Sequence, residues 1–169
     1  RRKPKPTIEE GREKGAALRA SARQESSLVD CLRIAAEQDA GPGQRFTVRS
    51  EGQARALHPV VEQELCAIGR EALRNAFRHA NAEQHEVIVE YGAGALVLSV
   101  HDDGRGIAAG EGEKPGHWGL RGIRERAGLI HADPRLHTAP GGGTTWRIEI
   151  KAALAYADAR PRARRPWRS

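Results

Sequence analysis

The sequence predicts an α/β (α+β) two-layer sandwich: one mixed, mostly antiparallel sheet with helices packed on a single face. Three observations carry that prediction. Residues 59–80 repeat apolar side chains at the spacing of an amphipathic helix. Two β-rich runs, 86–91 and 95–101, are joined by Gly92-Ala93-Gly94, a hairpin signature. Helical and strand segments also mix without a repeating strand-helix-strand rhythm and without internal repeats.

Taken in order, residues 7–21 suit a helix, with Thr7 as N-cap and Glu10 as its capping-box partner, but few large apolar residues support it. Ser26 or Ser27 opens a second helix in which Leu28, Leu32, Ala35 and Ala36 recur at helical spacing. It ends at the Gly41-Pro42-Gly43 break. Phe46 and Val48 alternate with polar residues and predict a strand, closed by a turn at Glu51-Gly52-Gln53. Pro59 then suits the first turn of the long helix. After the hairpin, residues 108–116 are Gly-rich, charged and aperiodic, as expected of a loop. A helix over about 120–130 and strands over 135–139 and 144–150, separated by Pro140-Gly141-Gly142-Gly143, complete the chain's regular elements.

The bulk properties narrow the class further. A chain of 169 residues supports one domain with a proper core. The formal charge of +6 comes largely from basic, Pro-interrupted ends such as Arg160-Pro161-Arg162-Ala163-Arg164-Arg165-Pro166, which read as solvated tails, and no nucleic-acid partner is expected. Cys31 and Cys66 have no CxxC spacing and are expected as two reduced thiols. No apolar run approaches the roughly 18 residues that span a bilayer. The sequence neither begins with Met nor contains one, which reads as a fragment of a longer protein.

With about 3.6 residues per turn, Val61, Leu65, Ile68, Ala72 and Ala76 form one stripe of the long helix, edged by Glu64, Glu71, Asn75 and Arg78. A carboxylate, an amide and a guanidinium beside a buried face suit a hard cation bound to phosphates. By itself such a strip is also what a solvated helix edge looks like. Glycine clusters follow it at three places, and each alone could be an ordinary turn.

Together they are more specific. Glu71 to Asn75, the DxGxG of Asp102, Gly104 and Gly106, the run Gly116-His117-Trp118-Gly119-Leu120-Arg121-Gly122, and Gly141-Gly142-Gly143-Thr144 stand in the order of four known sequence boxes. The pattern resembles the ATP-binding catalytic (HATPase) domain of bacterial two-component sensor histidine kinases, within the superfamily that also holds gyrase, Hsp90 and MutL. The wording Gly-His-Trp-Gly-Leu-Arg-Gly-Ile-Arg-Glu-Arg-Ala resembles the subgroup whose response regulators carry LuxR-type DNA-binding domains. The resemblance covers about residues 46–150, and implies the Bergerat (GHKL) fold. It divides the chain into 1–25, the remnant of a dimerisation helix and linker, 26–152, the catalytic domain, and 153–169, a basic tail.

The resemblance also implies roles. Asp102 would accept a hydrogen bond from the adenine amino group, which guanine replaces with a carbonyl oxygen. Gly104, Gly106 and Ile107 would shape the base pocket, with Thr144 supporting the same purine edge. Asn75 would ligate Mg²⁺ on the phosphates, and Arg78 and His79 would lie near phosphate charge. Gly116, Gly119, Leu120 and Gly122 would form the phosphate-facing start of a helix, where free N–H groups favour anions. The loop 108–116 would be the ATP lid. Glu71 would be catalytic and metal-associated, either activating water or orienting a Mg²⁺-bound water or the phosphoacceptor. Arg124 and Arg126 would reach phosphate or remain solvated or paired.

None of the seven histidines fits the phosphoacceptor motif, a histidine followed by an acidic residue on a dimerisation helix. The implied protein therefore binds Mg-ATP and passes the γ-phosphoryl group to a histidine on a dimerisation domain outside this sequence, for relay to a response regulator. The domain is expected in the cytoplasm, within a membrane-bound homodimer. Two other readings remain at this level: an anti-sigma-factor serine kinase or stand-alone ATPase with the same boxes, and a degenerate interaction module that ignores nucleotide.

Overall fold

The computed structural model describes residues 28–107 and 118–158. The helix expected over 7–21, the loop 108–116 with Gly116, and most of both basic ends lie outside them. Residues 28–39 form α1, followed by β1 (Arg45–Gly52), α2 (Pro59–His79), β2 (Gln84–Tyr91) and β3 (Ala95–Asp102). Then come α3 (Trp118–Leu129), β4 (Asp133–Thr138), β5 (Thr144–Lys151) and a single turn, α4 (Ala152–Ala155).

The strands form one sheet in the order β1-β2-β3-β5-β4. β1 runs parallel to β2, and the other three pairs are antiparallel. Alternation along the strands puts Val87, Val89, Leu96, Leu98, Val100, Trp146, Ile148 and Ile150 into one buried core with Leu28, Leu32, Leu65, Ile68, Leu73 and Ile123 of the helices. The opposite face is charged, with Arg147 bridging Glu90 at 3.3 Å and Glu149 at 3.4 Å, and Arg49 reaching Glu86 at 3.2 Å. The expected sandwich is therefore the fold observed.

α2 is the helix the sequence predicts, with Pro59 in its first turn and Val61, Leu65, Ile68, Ala72 and Ala76 buried. Glu62 stands near its positive end and Arg78 and His79 near its negative end, as the helix dipole favours. The hairpin closes through the Gly92 N–H to Ala95 O at 3.0 Å.

Three expectations are corrected. The turn expected at 51–53 is strand as far as Gly52, which pairs with Tyr91. Gly52 has a φ of 80°, and a Cβ there would collide with the Tyr91 carbonyl. Cys31 and Cys66 are not separate thiols. They form a disulfide between α1 and α2, with Cα atoms 6.2 Å apart, because the two helices pack side by side and 35 residues of separation carry no motif. The boundary expected at 152 also falls inside packed structure: Ala155 and Tyr156 are fully buried, and Tyr156 bridges to Leu57.

Candidate functional site

A cavity of about 180 Å³ opens between α2, the end of β3 and the start of β5. Ala72, Ala76, Val100, Ile107, Leu120 and Trp146 make its walls largely apolar, and Asn75, His79, Asp102, Arg105 and Thr144 supply the polar groups. The strip on α2 and the DxGxG segment, distant in sequence, thus face one space.

Asp102 ends β3, opposite Thr144 of β5 and His85 of β2. It is 4% exposed, and the Gly104 N–H donates to its Oδ1 at 3.0 Å. Burial pushes its carboxyl above the usual carboxylate range, against the opposing pull of that N–H, of His85 and His101, and of the Thr144 N–H. His85 is itself buried, its ring 4.2 Å from that of Phe77 and its Nδ1 3.3 Å from the Arg45 carbonyl. The neighbouring Asp103 has a different task. Its carboxylate accepts the N–H groups of Glu83 at 3.0 Å and Gln84 at 2.9 Å, and the Gln84 bond leads in holding it below its ordinary range.

Two glycines of the motif are required by contact. A Cβ on Gly104 would strike the Ala80 carbonyl at the end of α2, and one on Gly106, where φ is 68°, would strike the Ala139 carbonyl. The segment is laced to both neighbours: the Arg105 N–H donates to Ala80 O at 2.8 Å, the Gly143 N–H to Gly104 O at 2.9 Å, and the Gly141 N–H to Arg105 O at 2.7 Å.

Asn75, His79, Asp102, Gly106, Ile107, Leu120 and Thr144 line one cavity, with Gly104 bonded to Asp102 beside them. Other expected residues stand apart. Glu71 is one turn before Asn75, pairs with Arg74 at 3.1 Å, and does not line the cavity. Arg78 lines an adjoining groove with Gln44, Arg45 and Glu83, which shares His79 and Arg105 with the cavity. Gly119 and Gly122 lie within α3, whose Arg126 pairs with Glu64 of α2 at 2.9 Å rather than facing the cavity.

Sequence reasoning missed Arg105 and Thr138. Arg105 donates through Nε to the His79 carbonyl at 3.1 Å, and only its position inside the glycine motif could have drawn attention to it. Thr138 accepts the Ile107 N–H at 2.8 Å and donates to Gly143 O at 3.1 Å, tying the cavity rim to the β4–β5 turn. Nothing local marks it.

A mixed sheet with helices on one face, and a buried carboxylate flanked by glycines at the foot of a cavity, define a class that sequence comparison identifies. Residues 60–154 match the family model described as histidine kinase-, DNA gyrase B-, and HSP90-like ATPase, and the chain belongs to that family. Among individual proteins it is 29% identical over 111 residues to the signal transduction histidine-protein kinase/phosphatase DegS of Bacillus subtilis, covering 64% of this chain and 29% of that one. It is 34% identical over 102 residues to the sensor histidine kinase LiaS of Bacillus subtilis, covering 60% and 28%. The sensor protein VraS of Staphylococcus haemolyticus is 35% identical over 98 residues, covering 58% and 27%. The matched regions thus cover less than a third of each of these relatives. In fold, the chain is similar to the histidine kinase domain of the Erythrobacter litoralis EL346 blue-light activated histidine kinase, with a TM-score of 0.64 at 20% identity over 79% of this chain and 64% of that one. No helix among the described residues is long and apolar enough to cross a membrane.

Proposed function

We propose that this chain is the ATP-binding catalytic domain of a two-component sensor histidine kinase. The observation that carries the reading is Asp102: a buried carboxylate, fixed by the Gly104 N–H, in an otherwise mostly apolar cavity. Such a group suits a flat, largely apolar ligand with one amino group to offer, and adenine meets that description. Asp102 reads the base, with Gly104, Gly106, Ile107 and Thr144 shaping its pocket. The phosphates then extend along α2 towards Asn75, whose side chain no described residue hydrogen-bonds.

The residues present fit Mg²⁺. Asn75 and the nearby Glu71 offer oxygen atoms, and a cation of this kind takes its remaining ligands from phosphate and water. When bound, Mg²⁺ neutralises phosphate charge. Glu71 orients water or the incoming acceptor, with Arg74 paired to its Oε2 at 3.1 Å. His79 and Arg105 border the same space, while Arg78, Gly119, Leu120 and Gly122 contribute phosphate contacts. Positioning and charge neutralisation supply most of the catalysis. The acceptor is a histidine on a dimerisation domain outside this chain, and a response regulator of the LuxR-type class receives the phosphoryl group. DegS and LiaS, histidine kinases by name, support the kinase part of this reading. The domain works in the cytoplasm as part of a membrane-anchored homodimer.

Calorimetry with ATP, GTP and ADP, with and without Mg²⁺, tests the proposal. Wild-type protein is expected to prefer ATP over GTP. Asp102→Asn and Asn75→Ala are each expected to weaken Mg-dependent ATP binding at least about tenfold, the loss of one good polar contact. Unchanged affinity in both variants, with their circular dichroism intact, would refute the nucleotide site.

A further inference from the structure

We propose that Cys31 and Cys66 are a reversible thiol–disulfide pair, a redox-modification site that ties α1 to the helix carrying Asn75. The two are bonded, with Cα atoms 6.2 Å apart, inside the roughly 4.4–6.8 Å that a disulfide spans without backbone movement. Both are half-buried, so a small thiol or disulfide can reach them at the α1–α2 seam.

In one respect the inference rests on the function proposed above. A domain that consumes ATP works in a reducing compartment, where a disulfide is rare and serves redox sensing or catalysis more often than permanent stapling. The rest is geometry. Leu28, Leu32, Ala35 and Ala36 form the buried stripe of α1 that Cys31 borders, and Leu32 occupies the space that a side chain at position 69 would need. With the bond cut, α1 stays docked by apolar packing alone. Cys66 precedes Asn75 by nine residues, about 13 Å along the helix. The bond therefore governs how α1 is held to the domain, and leaves the cavity walls alone.

The co-reactant is a low-molecular-weight disulfide such as oxidised glutathione. One cysteine thiolate attacks a glutathione sulfur and expels the first glutathione thiolate. The second cysteine thiolate then attacks the mixed disulfide, forming the Cys31–Cys66 bond and expelling the second. Two electrons pass from the cysteine pair to glutathione disulfide, and the two thiol protons end on the two glutathiones released.

The test equilibrates the full chain in glutathione buffers of graded ratio, quenches with acid, labels with N-ethylmaleimide and weighs the product. Two labels per chain are expected at the reducing end, none at the oxidising end, and one two-electron transition between them. Hydrogen exchange of α1 amides is expected to be at least about tenfold faster in the reduced form, with β3 and β5 unchanged. The Cys31→Ser/Cys66→Ser double variant should exchange like the reduced chain in every buffer. Two labels throughout, none throughout, or equal α1 exchange in both forms would each overturn the inference. No nucleotide is present, so failure of the ATP reading shows in calorimetry and failure of the switch shows here.

Discussion

Asp102 sits where a charge is costly, and that cost gives its role a signature at the scale of one residue. Its carboxyl is raised above its ordinary value of 3.8 chiefly by burial. A raised carboxyl takes up its proton in the folded state before the unfolded chain does. The stability it contributes is therefore full below 3.8 and lost as the pH rises through the folded value. Asp102→Asn keeps an acceptor for the Gly104 N–H and carries no charge. Its nucleotide-free melting temperature is expected to exceed wild type at neutral pH, with the gap closing as the pH falls towards 3.8, measured by scanning calorimetry. A variant both more stable and unable to bind ATP would separate recognition from folding. Asp102, Gly104 and Gly106 were legible in the sequence because a short motif contains them. Arg105 and Thr138 were not, because what assigns them is a carbonyl or N–H on another element.

Between elements, the junction of α2 with the segment after β3 is held by backbone contact. At Gly104 a methyl group would meet the Ala80 carbonyl, which cannot rotate away as a side-chain tip can. Gly104→Ala is expected to destabilise the fold by about 1–3 kcal/mol, the range for overpacking, and to weaken ATP binding as the junction opens. Urea unfolding and calorimetry read the two effects separately. The elements themselves were easy to read. α2 repeats with the helix period, and β2 alternates strictly with His85, Val87, Val89 and Tyr91 buried. The extent of β1 was harder. Glu51-Gly52 has turn composition, and only pairing with Glu90 and Tyr91 keeps it extended.

For the whole molecule, the ordered fold reaches beyond the last strand. Tyr156 is fully buried, donates its hydroxyl to Gly92 O at 3.0 Å, and lies under the Arg55 guanidinium at 3.8 Å. It pins the loop before α2 to the β2–β3 hairpin, so it closes the end of the sheet away from the cavity. Tyr156→Ala is expected to cost about 3–5 kcal/mol, as for other large aromatic truncations in a core. A chain ended at residue 152 should lose at least as much. Equal urea midpoints for the full and shortened chains would show that this closure does not matter.

Among the described residues, the sequence by itself determined the main helices and strands, the sandwich they form, and the four boxes in their order. Each of those is written in local periodicity or in a few adjacent residues. Tertiary structure alone decided the order β1-β2-β3-β5-β4, the bond between Cys31 and Cys66, the place of Arg78 in the groove beside the cavity, and the burial of Tyr156. These depend on groups that lie far apart along the chain, and such groups meet only once the shared hydrophobic core has drawn their elements together.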